Sequence, residues 1–467
     1  MRRVASMAAL LALAGCAAHV APPPPSTLQT PAAWRSVTEP GQDAAAISPQ
    51  WWTAFGDPSL SALVEQALAG NGDLRVARAR VAQYRALVGV AAAGQQPVLS
   101  VDGAPSRARQ LSSAGAPYVT NIYQAEFQAS YEVDVWGRLA ALTDAADATF
   151  RAEQANADAV ALSIAATVAT GYLNLRGLDA QLALTEATLK LREQSRDLAK
   201  RQFEVGYSSR LEWLQAQAEY QSAAETIPQL QRQIFEQENA LSILVGGNPA
   251  PIPRGLALEQ LQAPPVPAGL PSELLRRRPD IARAEYSLAA GNANLQATRD
   301  QLLPSFRLTA TGGIQSLAMH DFVHAPTRLW RLSAALVAPV FDGGRVQHQT
   351  DAVAAQRDQL IAAYESAVRT AFAETDNSLG ALARLRDQAV QNDARRATAA
   401  ETLRIAHNRY RNGYASYLEE LDAQRTLYSA DVGKLQLRTR TLVAAVDLYR
   451  AMGGGWSGDA ISCCKAQ

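Results

Sequence analysis

The sequence predicts a mixed α+β fold, mostly helical, in which one unit of two β-strands and long coiled-coil-like helices is used twice, giving four strands per chain. Three observations predict it. The chain matches itself at a constant offset of 207 residues, each copy holds a long proline-free helical stretch, and each holds two segments with strand periodicity.

Asp73 matches Asp280, Pro97 matches Pro304, Gly137-Arg138 matches Gly344-Arg345, and Gly246-Gly247 matches Gly453-Gly454, all without a gap. The match is densest between residues 206–217 and 413–424, where eight of twelve positions are identical. Shared alanine content cannot produce that density. Two similar domains side by side would leave the same trace, but one pseudo-symmetric unit with halves 73–247 and 280–454 is the sharper reading.

Residues 1–15 have the build of a secretory signal: Arg2 and Arg3, an apolar core from Val4 to Leu13, and the small pair Ala14-Gly15. Leu13-Ala14-Gly15-Cys16 resembles the lipobox of bacterial lipoproteins, which implies cleavage before Cys16 and its acylation. Ala17 stands where an aspartate would resemble an inner-membrane retention signal, so outer-membrane sorting is favoured. Residues 16–50, with the Pro22–Pro25 run, are expected to be the lipidated cysteine followed by an extended linker.

The first repeat is expected over 51–247. It opens with a helix near Leu74–Ala93, ended by Pro97. Two strand segments follow, 97–109 and 122–135, and Ala125 to Val135 alternates apolar and polar without an error. A strand of about ten residues is long enough to cross a bilayer when tilted. Tyr123, Phe127, Tyr131, Trp136 and Trp330 can supply the interfacial aromatics of such strands. Four strands cannot close a barrel in lipid, because an open edge leaves backbone groups unsatisfied. Identical copies must then complete it, at eight or twelve strands.

Helical sequence runs from 137 to 205, roughly 100 Å at ~1.5 Å per residue. Leu175, Leu182 and Leu189 form one heptad series, and Leu184, Leu191, Leu198 and Val205 a second, displaced by two residues. Two seams suit a helix with a neighbour on each flank, as in the wall of a tube. Gly206 caps the run and a return helix reaches Gly246, with a kink expected at Pro228. The proline-rich segment 248–275 joins the halves. The second repeat, 276–454, has the same order: a helix near Ile281–Leu302, strands 304–316 and 328–341, helix 344–412 with weaker seams at Leu382, Ala389 and Leu403, then a return from Gly413 to Gly453. Residues 455–467 form a tail, in which adjacent Cys463 and Cys464 make no disulfide framework.

Composition narrows function. Lys+Arg and Asp+Glu both number 44, so no net field points to nucleic acid. No interior run of eighteen apolar residues favours a helical membrane span. Five histidines are scattered, with no His-Glu-x-x-His and no phosphate-cradling loop, so neither an enzyme nor a cofactor is expected. His320 and His324, four apart in a predicted loop between strands, are a surface coincidence rather than a metal site.

Four motifs in order, Trp51-Trp52-Thr53-Ala54-Phe55-Gly56-Asp57-Pro58, Arg277-Arg278-Pro279-Asp280-Ile281, Phe341-Asp342-Gly343-Gly344-Arg345 and Leu421-Asp422-Ala423-Gln424, resemble the signatures of TolC-like outer membrane factors, in particular the lipoprotein branch called NodT. The resemblance covers nearly the whole mature chain. It implies a homotrimer with a 12-stranded barrel in outer-membrane lipid and a 12-helix tube through the periplasm. It also implies two partners, a periplasmic adaptor and an inner-membrane transporter.

The same resemblance puts Gly206, Tyr207, Ser208, Gly413, Tyr414 and Ala415 at the tip as the adaptor contact. It makes Glu419, Asp422, Glu212 and Tyr410 the pore gate, each acid giving a ring of three like charges. Ala415 departs from relatives that carry an arginine latch there, and Arg411 is a possible substitute. The implied function is the outer-membrane channel of a tripartite efflux system. A type I secretion duct of the same fold and a non-conducting envelope scaffold stay open as alternatives.

Overall fold

In the computed structural model residues 28–35, 47–264 and 271–456 are described. The signal segment, Cys16, Cys463 and Cys464 lie outside them. After a 3-10 turn at Trp51–Phe55 come α1 (Pro58–Gly70), α2 (Gly72–Ala93), β1 (Val98–Gly103), β2 (Ser106–Leu111), β3 (Pro117–Val133), α3 (Arg138–Glu204) and α4 (Arg210–Leu244). The second half holds α5 (Pro271–Arg277), α6 (Pro279–Arg299), β4 (Ser305–Ser316), α7 (Met319–His324), β5 (Thr327–Val337), α8 (Arg345–Arg411) and α9 (Tyr417–Ala451). Contacts divide the chain into two units, one of Arg80–Gln154 with Arg283–Glu365, the other of Leu28–Ala79, Ala155–Ala282 and Ser366 onward.

The first unit carries one antiparallel sheet in the order β1-β3-β4-β5, with β2 also on β3. Five strands stand where four were expected, because Pro105 interrupts the first. The register does not slip: Gly103 faces Ala125 and Ser106 faces Ile122, so β1 and β2 continue one pairing. Ala104 N–H donates to the Gln124 carbonyl at 3.0 Å, and in an antiparallel ladder the next residue's N–H points away from that partner. Proline, which has no N–H, is tolerated at that edge position.

Strand bounds also move. β3 begins at Pro117 rather than 122 and ends at Val133, and β5 stops at Val337 rather than 341. The helix α7 occupies what was expected to be loop.

Pairing sorts the sheet's residues by chemistry. Phe127, facing Val101 and Gly312, shares a face with Leu99, Tyr123, Ala129, Tyr131, Val133, Phe306, Leu308, Ile314, Trp330 and Leu332. The other face carries Asp102, Gln124, Glu126, Gln128, Glu132, Arg307, Thr309, Thr311 and Arg331. Side chains alternate with period two, and the edge strands carry exceptions, Val98 and Leu329 on the polar face and Arg328 on the apolar one. The apolar face is bare: Trp330 is 83% exposed and Leu332 74%.

The second unit is helical and holds most, though not all, of α3 and α8, which are 67 residues each. One stretch of α3 is long and apolar enough to cross a membrane by composition, but half of it is buried in protein, as a core helix requires. The core gathers Leu60, Val64, Val168, Tyr172, Leu173, Leu175, Leu241, Leu442 and Val446 around Trp51 and Phe55. Trp51 stacks on Tyr449 at 5.3 Å. Buried Asp57 caps α1 through Ser59 N–H (2.8 Å) and accepts from the Tyr172 hydroxyl (2.8 Å) and Leu256 N–H (3.0 Å). That single carboxylate ties the opening motif, α3 and the segment after residue 248 together. Burial and the Asp57 carboxylate push Tyr172 up to about 12, against the opposing pull of the Gly255 N–H that donates to its hydroxyl oxygen.

The internal repeat survives as paired contacts. Asn71 Nδ2 donates to the Leu244 carbonyl at 2.8 Å, and its equivalent Arg278 donates from Nη1 to the Ala451 carbonyl at 2.9 Å. Gly246 (φ 79°) presses on the Gly70 carbonyl as Gly453 (φ 87°) presses on that of Arg277, approaches that leave no room for a Cβ. Pro228 lies inside α4 without ending it.

Candidate functional site

The two helical hairpins turn in the same way. Gly206 (φ 76°) donates to the Phe203 carbonyl at 3.0 Å and Tyr207 N–H to that of Gln202 at 2.8 Å. Gly413 (φ 76°) and Tyr414 repeat this on Tyr410 (3.0 Å) and Arg409 (2.8 Å). These are paired bonds of the Schellman kind, which satisfy the last helical carbonyls and need a positive φ. Tyr207 is 79% exposed and Tyr414 78%, two aromatic rings held out at the turns. Gly206 and Gly413 are also exposed, Ala415 is partly so, and the Ser208 hydroxyl is buried without a partner. Ser209 caps α4 by accepting from Glu212 N–H at 3.3 Å.

The four residues expected at a gate fall in two places. Tyr410 lies between the hairpins, its hydroxyl donating to Gln202 Oε1 at 3.3 Å and its ring 5.5 Å from that of Tyr417. Burial, reinforced by the Glu212 and Glu420 carboxylates, pushes Tyr410 up to about 12. Burial and Glu420 push Tyr417 up to about 12 as well, so both phenols stay neutral. Around them Ala199, Ala216, Tyr417 and Leu421 form a small core of their own, with Trp213 against it. Glu419 and Asp422 lie elsewhere, exposed and lining a groove with Arg395, Thr398 and Thr402 of α8.

Sequence reasoning missed the buried ionic cluster that joins the hairpins. Glu219, 7% exposed, accepts from Arg192 (Nη2 to Oε2, 3.1 Å) and from Arg425 (Nε to Oε1, 2.9 Å). The Arg192 guanidinium also lies over the Tyr428 ring at 5.5 Å. Buried Glu420 accepts from Gln424 at 3.0 Å and lies 2.8 Å from His407 Nδ1. A signal was available in the departures from the repeat. At the 207-residue offset Glu219 matches Thr426, Arg192 matches Ala399, and Glu420 matches Trp213. Charges present in one copy only are those that pair here.

No group of His, Cys, Asp and Glu suited to a metal occurs among the described residues. His320 and His324 stack with centroids 4.6 Å apart, and His320 Nδ1 lies 3.3 Å from Asp321.

Comparison with known proteins agrees in sequence and in fold. The antibiotic efflux pump outer membrane protein ArpC of Pseudomonas putida is 36% identical over 453 residues, 95% of this chain and 93% of its own. The outer membrane protein OprJ of Pseudomonas aeruginosa is 33% identical over 460 residues, covering 96% and 95%. Among solved structures, the outer-membrane channel OprN superposes with a TM-score of 0.86 at 28% identity over 94% of this chain and 99% of its own. The open state of the Neisseria gonorrhoeae MtrE outer membrane channel gives 0.81 at 31%, over 93% and 98%. The outer membrane efflux protein family model matches residues 63–247 and 270–454, the two halves of the repeat, and this chain belongs to that family.

Proposed function

We propose that three copies of this outer-membrane efflux protein build one conduit. Their sheets join edge to edge as a twelve-stranded barrel in the outer membrane, and their long helices form a tube through the periplasm. The tip meets a periplasmic adaptor supplied by an inner-membrane transporter. The sheet carries this reading. Its faces differ, one largely apolar and the other largely polar, and among the described residues β1 pairs only with β3 and β5 only with β4. An open edge in hydrocarbon costs several kcal/mol per unsatisfied group, so further copies must cover it. The second leucine seam supports the same reading, for Leu191 is 64% exposed, Leu198 44% and Val205 80% in a single copy.

In this reading residues 1–15 are a removed signal and Cys16 is acylated. The halves 51–247 and 276–454, joined by 248–275, each contribute two strands and a hairpin. Gly206, Tyr207, Ser208, Gly413, Tyr414 and Ala415 form the adaptor contact, supported by the two exposed tyrosine rings. Glu419 and Asp422 line the closed pore as rings of like charge, and Tyr410 with Glu212 holds the hairpins together.

Planar-bilayer recording of the purified oligomer tests this. The wild type is expected to give small, cation-preferring currents, and Glu419→Gln with Asp422→Asn to raise conductance and weaken the preference. Unchanged currents would remove both acids from the gate, and a monomeric, non-conducting preparation would end the conduit reading.

A further inference from the structure

The apolar face of the sheet changes character at its hairpin end. Tyr123 is the last aromatic of the band on β3. Beyond it, on the same face, the projecting β2–β3 ribbon carries Arg107 opposite Asn121 and Arg109 opposite Val119. β5 begins on that face with Arg328, two residues before Trp330. All three arginines are exposed, and none has a side-chain hydrogen bond or ion pair among the described residues. The sheet's acids, Asp102, Glu126 and Glu132, all lie on the opposite face, and Asp321 of α7 is engaged by His320.

Cations on a merely solvated surface are interspersed with acids. Here Arg107 and Arg109 stand roughly 7 Å apart along one strand face and repel with nothing between them. They follow directly on a lipid-facing band that ends in aromatics, at the height where headgroups begin. The guanidinium fork matches phosphate bidentately, and more strongly at a partly dry interface than in water.

Resting on residence in the outer membrane, we propose that Arg107 with Arg109 on the β2–β3 ribbon, and Arg328 as a separate contact on the far edge strand β5, bind phosphate groups of anionic lipids in the outer leaflet. These contacts face away from the conduit, so they anchor and orient the barrel without touching transported molecules.

The test titrates the full-length protein in detergent with bis-phosphorylated lipid A and with the same lipid stripped of phosphate, counting bound lipid by native mass spectrometry. Wild type is expected to hold the phosphorylated lipid about tenfold more tightly, an advantage that salt erodes. Arg107→Gln with Arg109→Gln and Arg328→Gln should abolish the preference, Arg109→Gln alone should reduce it, and Arg331→Gln on the other face should leave it intact. Equal binding of both lipids by wild type, or an undiminished preference in the triple variant, overturns the proposal. Bilayer currents from the same preparations separate that failure from failure of the conduit reading: a triple variant that conducts normally leaves the conduit standing.

Discussion

Arg278 shows how one side chain fixes a chain reversal. It is 6% exposed and donates to the Ala451 carbonyl (2.9 Å), Asp280 (2.7 Å) and Glu374 (2.8 Å). Arg278→Ala leaves that carbonyl and two carboxylates without their donor, and removing one member of a buried ion pair costs about 3–5 kcal/mol. Thermal unfolding of the detergent-solubilised protein should show the loss, and a transition within a degree of wild type would refute it. Burial raises the Asp280 carboxyl, but the Arg278 guanidinium outweighs it and holds the group below its ordinary value. The associated stability is therefore present above about pH 4 and fades as pH falls through the depressed value. The variant should lose this acid dependence together with its stability. Sequence patterning had marked Arg278 only as part of a motif, since nothing in spacing tells a buried guanidinium from an exposed one.

At the scale of elements, four helix ends use positive-φ glycine, but they are not equally replaceable. Gly206 (φ 76°) has nothing within 4 Å of a built Cβ, so Gly206→Ala costs only the backbone strain, about 1 kcal/mol. Gly453 (φ 87°) would drive the same methyl into the Arg277 carbonyl, so Gly453→Ala must also push a helix end away and should cost several times more. Denaturant unfolding of the two variants side by side checks the ratio, and equal losses would contradict it. The two long helices were legible to within a residue, 137–205 against Arg138–Glu204 and 344–412 against Arg345–Arg411, because capping glycines and proline-free runs are local signals. The Pro105 break and the start of β3 at Pro117 were not, because an edge proline's harm depends on which way its missing N–H points.

At the scale of the whole molecule, the sheet and not the acyl chain is expected to hold the protein in the membrane. A closed barrel buries an apolar band around its whole girth and so stays in lipid without any acyl chain. Cys16→Ser should therefore lose the mass of the proposed acyl chains yet stay in the membrane fraction through a carbonate wash. Release into the soluble fraction would mean that the strands do not span. Counting strands against what a barrel needs predicts that further copies supply partners for the sheet's edge strands.

The sequence by itself determined the doubled architecture, the long helices, the two-faced strands and the hairpin turns, because each is written in local periodicity or in a residue with special backbone freedom. Only the tertiary structure decided which polar side chains pair across the helices. Glu219 with Arg192 and Arg425, Glu420 with His407, and Tyr410 apart from Glu419 and Asp422 all depend on helices distant in sequence lying side by side. It also decided that Arg107, Arg109 and Arg328 share one face free of acids, which follows from strand register and from no single strand. Periodicity fixes how a segment meets its surroundings; which segment it meets is a property of the packed chain.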